Sequence, residues 1–319
     1  MKKKYLITGC CGFIGFSLAN ELLKNKNNKI FGIDNLNNYY SVSYKKKRLK
    51  ILKKNKNFIF KKININKQIQ VKKKLKPLNF DYIYHFAAQP GVRYSLVNPK
   101  IYYQTNVKGF NNLVINLNFK YIKKFIYASS SSVYGEQKKF PTNEKAKLNA
   151  KNPYGKTKIK NEYQAKIFEK IYRKPFIGIR FFTVYGEWGR PDMFILKLLD
   201  CIKKNKIFYL NNSGNHLRDF TYIEDVIKVL KKIIFAKLPK DERIFNVCAS
   251  SPIGIKILIK EIKKYFPTIK IKNIARNNAD VKDTFGSNKK IVNILGIKKF
   301  TNYKIGLKKT IKWYTQNFL

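Results

Sequence analysis

Tyr154-Gly155-Lys156-Thr157-Lys158 puts a phenol and an amine four residues apart, so on a helix Tyr154 and Lys158 share one face. An ammonium in that position lowers the pKa of a phenol, and a phenolate near neutral pH is a general base for an alcohol proton. With 21 tyrosines and 68 basic residues such a pair arises readily by chance, so it needs a companion. Upstream, Tyr127-Ala128-Ser129-Ser130-Ser131-Ser132-Val133-Tyr134-Gly135 supplies hydroxyls at the end of an apolar run. Only His85 and His216 are present, too few for a His-rich metal site or a Ser-His-Asp triad, and no metal is expected.

A second cluster is built from glycine. Thr8-Gly9-Cys10-Cys11-Gly12-Phe13-Ile14-Gly15 follows the first apolar run and opens the first amphipathic one. In this GxxGxxG spacing one glycine makes the turn, one lets backbone N–H groups reach a pyrophosphate, and one permits close helix–strand packing. Gly9, Gly12, Phe13, Ile14 and Gly15 are therefore expected at a dinucleotide. Asp34 ends the second strand-like run, where a carboxylate can accept from adenosine ribose hydroxyls and repel a 2′-phosphate. That favours NAD over NADP.

These groups need elements to position them. Residues 5–8, 29–34, 58–62, 82–87, 125–129 and 176–182 read as strands, and 13–25, 102–117 and 154–172 as the clearest helices. Their alternation implies right-handed crossovers and an α/β fold, a Rossmann-type doubly wound parallel sheet. Beyond Phe182 the pattern loosens into helices at 193–204, 255–265 and 303–318 and strands near 207–210 and 244–247. We expect an NAD-binding domain over 1–182 and a smaller C-terminal α/β substrate domain over 183–319, the chain crossing back into the sheet.

Lys+Arg 68 against Asp+Glu 18 gives a formal charge of +50, which taken alone suggests a polyanion partner. The lysines, however, run from Lys2 to Lys312 among many Asn and Ile, a compositional drift with no single recognition helix, and no specific nucleic-acid partner is expected. Cys10, Cys11, Cys201 and Cys248 form no CxxC pair, which fits a reducing cytoplasm. The start, Met1-Lys2-Lys3-Lys4 before an apolar stretch, imitates a signal peptide, but Gly9, Gly12 and Gly15 argue against one. No run of 18 apolar residues stands elsewhere to span a bilayer.

The order of glycine loop, His85-Phe86-Ala87-Ala88, serine run and YxxxK resembles the extended short-chain dehydrogenases. The resemblance implies Ser130 as hydroxyl partner, Tyr154 as base, Lys158 as the group that lowers the tyrosine pKa and holds the nicotinamide ribose, and Ala87 beside the cofactor. Related 4,6-dehydratases carry Asp-Glu before the Val-Tyr-Gly, and the decarboxylases carry Glu; this chain has Ser131 and Ser132, suited to hydrogen bonding a substrate carboxylate.

Arg180-Phe181-Phe182-Thr183-Val184-Tyr185-Gly186-Glu187-Trp188-Gly189-Arg190-Pro191-Asp192-Met193 resembles the corresponding segment of UDP-glucuronate 4-epimerases, with Glu187 in place of a proline. The resemblance implies that Thr183 and Arg190 hold a sugar carboxylate, an Arg fork suiting a planar anion. Matches around Arg93, Arg218 and Asp283 extend it over nearly the whole chain; Arg93, Arg218, Arg276 and Asp283 are then expected on the UDP moiety. Asn64-Ile65-Asn66 departs from an acidic turn near the adenine, and Pro90 from an alanine. The implied activity is NAD-dependent 4-epimerisation of a UDP-sugar, UDP-glucuronate to UDP-galacturonate, by a homodimer. Alternatives are a 4-epimerase of neutral UDP-hexoses or UDP-N-acetylhexosamines and a non-catalytic NAD- or polyanion-binding protein.

Overall fold

The computed structural model describes residues 2–240, 242–276 and 280–319. Its strands are β1 (Lys3–Thr8), β2 (Asn28–Asp34), β3 (Phe58–Lys62), β4 (Tyr82–His85), β5 (Lys124–Ser130), β6 (Phe176–Phe181), β7 (Thr183–Tyr185), β8 (Phe208–Asn211), β9 (Leu217–Tyr222), β10 (Ile244–Val247), β11 (Pro252–Gly254) and β12 (Ile271–Ile274). The helices are α1 (Phe13–Leu22), α2 (Val42–Lys53), α3 (Gln68–Leu75), α4 (Val92–Val97), α5 (Pro99–Tyr102), α6 (Gly109–Val114), α7 (Pro153–Tyr172), α8 (Phe194–Lys203), α9 (Ile223–Ile233), α10 (Ile255–Lys263), α11 (Lys289–Leu295) and α12 (Tyr303–Phe318).

Seven strands form one parallel sheet in the order β10-β6-β5-β4-β1-β2-β3. Helices cover both faces, which is why β4 and β6 are buried at every position and are apolar but for His85 and Arg180 at their C-terminal ends. The order reverses between β1 and β4, so the crevice for a ligand opens where β1, β4 and β5 end, at the glycine loop and the serine run. After β7 the chain lays down β8 and β9, returns through β10 to the edge of the main sheet, and then adds β11 and β12, which complete the small sheet β11-β9-β7 and the pair β12-β8.

The structure departs from the expected elements in one place that bears on the site. Instead of one helix over 102–117, α5 passes through a π-helical turn, Tyr103–Lys108, into α6. The wide turn carries the buried Asn106, whose Oδ1 accepts from Gln89 N at 2.7 Å and whose Nδ2 donates to Gln89 O at 3.2 Å and Thr157 Oγ1 at 3.0 Å. One amide thereby ties the loop after β4 to α7, a use typical of π-bulges near functional sites.

Candidate active site

The glycine loop is shaped by close backbone approach. Gly9 lies at φ +69°, and a Cβ there would stand 2.8 Å from Ala87 N; a Cβ on Gly15 would stand 2.3 Å from Gly9 O. Gly12 caps α1 and brings no side chain, so the first-turn N–H groups of Phe13 and Ile14 stay open to an anion. Asp34 is buried, accepting from Cys11 N at 3.1 Å and from Leu36 N at 2.8 Å. Burial pushes its carboxyl pKa up, against those N–H groups and the nearby Lys45 and Arg48. Gly9, Gly12, Phe13, Ile14, Gly15, Asp34 and Ala87 thus gather at one end of the sheet, and this cradle fits a dinucleotide.

Arg48, which sequence reasoning passed over, is fully buried behind that loop. Its Nη1 donates to Cys11 O at 2.9 Å and to the Tyr40 hydroxyl at 2.8 Å; its Nη2 donates to Trp188 O and, at 2.9 Å, to Gly189 O. The guanidinium therefore joins the glycine loop to the turn that carries Arg190. Trp188 sits at φ +58° in that turn, packed against Phe16, Tyr44 and Trp313 at 5.5, 5.6 and 5.3 Å between ring centres.

At the next strand ends, β5 delivers Ser130 and α7 delivers Tyr154 and Lys158. Asn152 caps α7 by accepting from Gly155 N at 2.9 Å, and Pro153 begins the helix, which fixes Tyr154 in its first turn. Ser130 Oγ donates to Ser132 Oγ at 3.2 Å. Lys158 Nζ donates to Ala128 O at 2.8 Å and lies 5.8 Å from the Tyr154 ring centre. Burial pushes the Tyr154 phenol above its ordinary value, with Ser130 and Arg190 pulling it back. Burial brings Lys158 itself down to about 8, against the charge of Glu162. His85 is held by Thr8 Oγ1 at 2.8 Å, and burial lowers it to about 3, so it is neutral scaffold.

The residues assigned to the sugar and nucleotide fall into two groups. Thr183 and Arg190 line one cleft with Gly186 and Met193, while Ser131 and Ser132 turn out of β5 beside Ser130. Glu187, in the place of the proline, accepts the Tyr222 hydroxyl at 2.7 Å, which explains how a carboxylate is tolerated there. Arg93, Arg218, Arg276 and Asp283 converge on the segment 280–284. Arg93 pairs with Asp280 at 2.7 Å, Arg218 donates to Val281 O and Lys282 O at 2.9 and 2.6 Å, Arg276 donates to Glu136 at 3.0 Å, and Asp283 accepts from Leu217 N at 2.7 Å.

Two further acids belong to the site and were missed. Glu162 follows Lys158 by one helical turn and Asp192 follows Arg190 by two residues; opposite charge at short spacing was the available signal. Arg48 gave none, because its partners are backbone carbonyls and a hydroxyl in a lysine-rich stretch.

Comparison with known proteins shows the family. The model of the NAD dependent epimerase/dehydratase family matches residues 5–248. The UDP-glucuronate 4-epimerase of Thermodesulfobacterium geofontis is 34% identical, with 98% of this chain and 96% of that protein covered. UDP-glucuronate 4-epimerase 4 of Arabidopsis thaliana is 35% identical over 97% of this chain and 74% of its own length. The structure of UDP-glucuronic acid 4-epimerase from Bacillus cereus, in complex with UDP-glucuronic acid and NAD, superposes with a TM-score of 0.91 at 28% identity, covering 99% of this chain and all of that one (100%). The chain is a member of the NAD dependent epimerase/dehydratase family.

Proposed function

We propose that this chain is an NAD-dependent 4-epimerase converting UDP-glucuronate to UDP-galacturonate. The observation that carries the reading is the convergence of base and carboxylate fork: the Tyr154 ring packs on Tyr102 at 6.1 Å, and Tyr102 leads through Tyr94 and Tyr39, at 6.3 and 5.5 Å, to the Arg190 guanidinium 5.7 Å from the Tyr39 ring centre. A 4-hydroxyl and a C5 carboxylate of one sugar ring present that pairing of needs.

In this reading Tyr154 takes the 4-hydroxyl proton, Ser130 holds the oxygen, and Lys158 holds a ribose and supplies positive potential to the phenolate. The cofactor supplies hydride acceptance from one face of C4 and hydride return to the other, so inversion needs no net oxidant. Asp34 and the amides of Phe13 and Ile14 bind the dinucleotide. Arg93, Arg218, Arg276 and Asp283, all but Arg93 from the substrate region 183–319, bind the UDP. Thr183, Arg190, Ser131 and Ser132 hold the carboxylate, which keeps it from leaving the keto acid.

The test is NMR of the purified protein with UDP-glucuronate. UDP-galacturonate is the expected product; UDP-xylose or net NADH would defeat the assignment. The neutral UDP-hexose reading draws on one observation, that Asp192 already occupies the Arg190 fork. Arg190→Ala separates the two, harming uronate turnover far more than neutral-sugar turnover if the first is right.

A homodimer accompanies this reading. Tyr163, Ile167 and Ile171 are 62%, 57% and 62% exposed along one face of α7, with Tyr103 and Ile115 also exposed on the neighbouring helical run. Such a stripe suits a self-complementary four-helix contact. A cytoplasmic setting is part of the same reading, supported by four free cysteines, three of them buried.

A further inference from the structure

Asp192 grips the Arg190 guanidinium in a two-point pair, with Nε donating to Oδ1 at 3.0 Å and Nη2 to Oδ2 at 2.5 Å. Tyr39 adds its hydroxyl to Oδ2 at 3.3 Å, and its ring centre lies 5.7 Å from the guanidinium. Tyr39 is itself fixed in place. A Cβ on Gly91 would stand 2.0 Å from the Tyr39 hydroxyl oxygen, and the Tyr39 ring packs on Tyr94 at 5.5 Å. The Arg190 and Asp192 side chains remain 20% and 33% exposed, so the pair is reachable from the cleft.

An epimerase that inverts C4 by turning a keto sugar over must release the C5 carboxylate between the two hydride steps and take up the sugar again in the second pose. An unopposed, partly buried guanidinium forms charge-assisted two-point bonds with a carboxylate. Bonds that strong in the first pose deepen the well from which the sugar must turn and slow turnover. With Asp192 poised at the same fork, the substrate carboxylate exchanges with a carboxylate already there. Release is then nearly balanced, because Arg190 is re-paired as the sugar leaves.

We propose that Asp192, steadied by Tyr39, is an internal competitor for Arg190, a positioning residue that sets how tightly a uronate is held and how readily the keto sugar turns. The inference rests on the uronate reading of Arg190 given above. It assigns Asp192 a role that a simple scaffold for Arg190 would not have. Weakening the competitor tightens uronate binding, whereas weakening a scaffold loosens it.

Asp192→Asn keeps the shape and one acceptor while removing the charge. Calorimetric titration of the NAD-loaded protein should show Kd for UDP-glucuronate falling about tenfold, with Kd for UDP-glucose unchanged. In turnover, KM and kcat for UDP-glucuronate should fall together, and stopped-flow absorbance at 340 nm should show a longer-lived transient of reduced cofactor. Unchanged or weaker UDP-glucuronate binding overturns the proposal. Tyr39→Phe, which removes one donor from Asp192, should shift binding in the same direction by less, and it decides the matter if Asp192→Asn does not fold; looser binding there also overturns it. The two readings fail separately. If wild type does not epimerise UDP-glucuronate but Asp192→Asn binds it more tightly, the proposed function falls and the competitor stands. If wild type epimerises it and Asp192→Asn binds no tighter, the competitor falls and the function stands.

Discussion

Arg180 and Glu162 form a two-point ion pair beneath the serine run: Nε and Nη2 of the arginine donate to Oε1 and Oε2 at 2.8 and 2.7 Å, with side chains only 5% and 7% exposed. Ser129 adds its hydroxyl to Glu162 Oε1 at 2.6 Å, so the pair anchors the end of β5 next to Ser130. Breaking a buried pair strands the remaining charge. Glu162→Ala should therefore cost about 3–5 kcal/mol of folding free energy, measured by denaturant unfolding. Glu162→Gln should also lower the Lys158 pKa below its present value near 8, because the acid that supports the ammonium is gone. The 13Cε shift of Lys158 followed against pH would show it.

Tyr154→Phe removes the proposed base, and Lys158→Met removes its electrostatic support. Each should reduce kcat by about 10²–10⁴-fold without unfolding the chain. UDP-glucuronate binding by calorimetry should survive in both, since neither residue is assigned to the carboxylate or the UDP.

Arg48→Lys leaves one ammonium where a fork now serves four oxygens from α2's flank, the glycine loop and the Trp188 turn. Buried carbonyls without donors cost about 1–3 kcal/mol each, so thermal unfolding should come several degrees lower. NAD binding and UDP-glucuronate binding should both weaken, because the same guanidinium restrains both loops. A loss confined to one ligand would contradict that link.

His85 is buried and neutral, its pKa pulled by burial from 6.5 to about 3, with the Lys158 charge acting the same way. Between those two values the unfolded chain binds the proton and the folded one does not, so stability falls as pH drops from 6.5 towards 3. His85→Gln should flatten that part of the stability curve. Urea midpoints collected from pH 7 to pH 4 for both proteins give the comparison.

Ile167→Lys combined with Ile171→Lys puts two charges on the exposed apolar face of α7. Sedimentation should then change from dimer to monomer, with the circular dichroism of the fold retained. A wild-type protein that sediments as a monomer would remove the dimer from the proposal.

Local chemistry in the sequence was enough for the parallel α/β sheet, the glycine loop and the order of Ser130, Tyr154 and Lys158. Each is a short-range pattern: strand and helix periods, a turn that only glycine fits, a helix-turn spacing. The segment 102–117 was legible as helix but not as helix interrupted by a π-turn, since that turn exists to let Asn106 meet Gln89 and Thr157 from two other elements. Only the tertiary structure decided that Arg48 bridges two loops, that Glu162 pairs with Arg180 and that Asp192 occupies the Arg190 fork. The surroundings of the Tyr154 phenol were decided there too: burial raises it, while Ser130 and Arg190, neither of them a helix-turn neighbour in the sequence, lower it. The physical reason is common to all four. Desolvation and the choice of partner depend on what the rest of the chain packs around a group, which spacing along the chain does not encode.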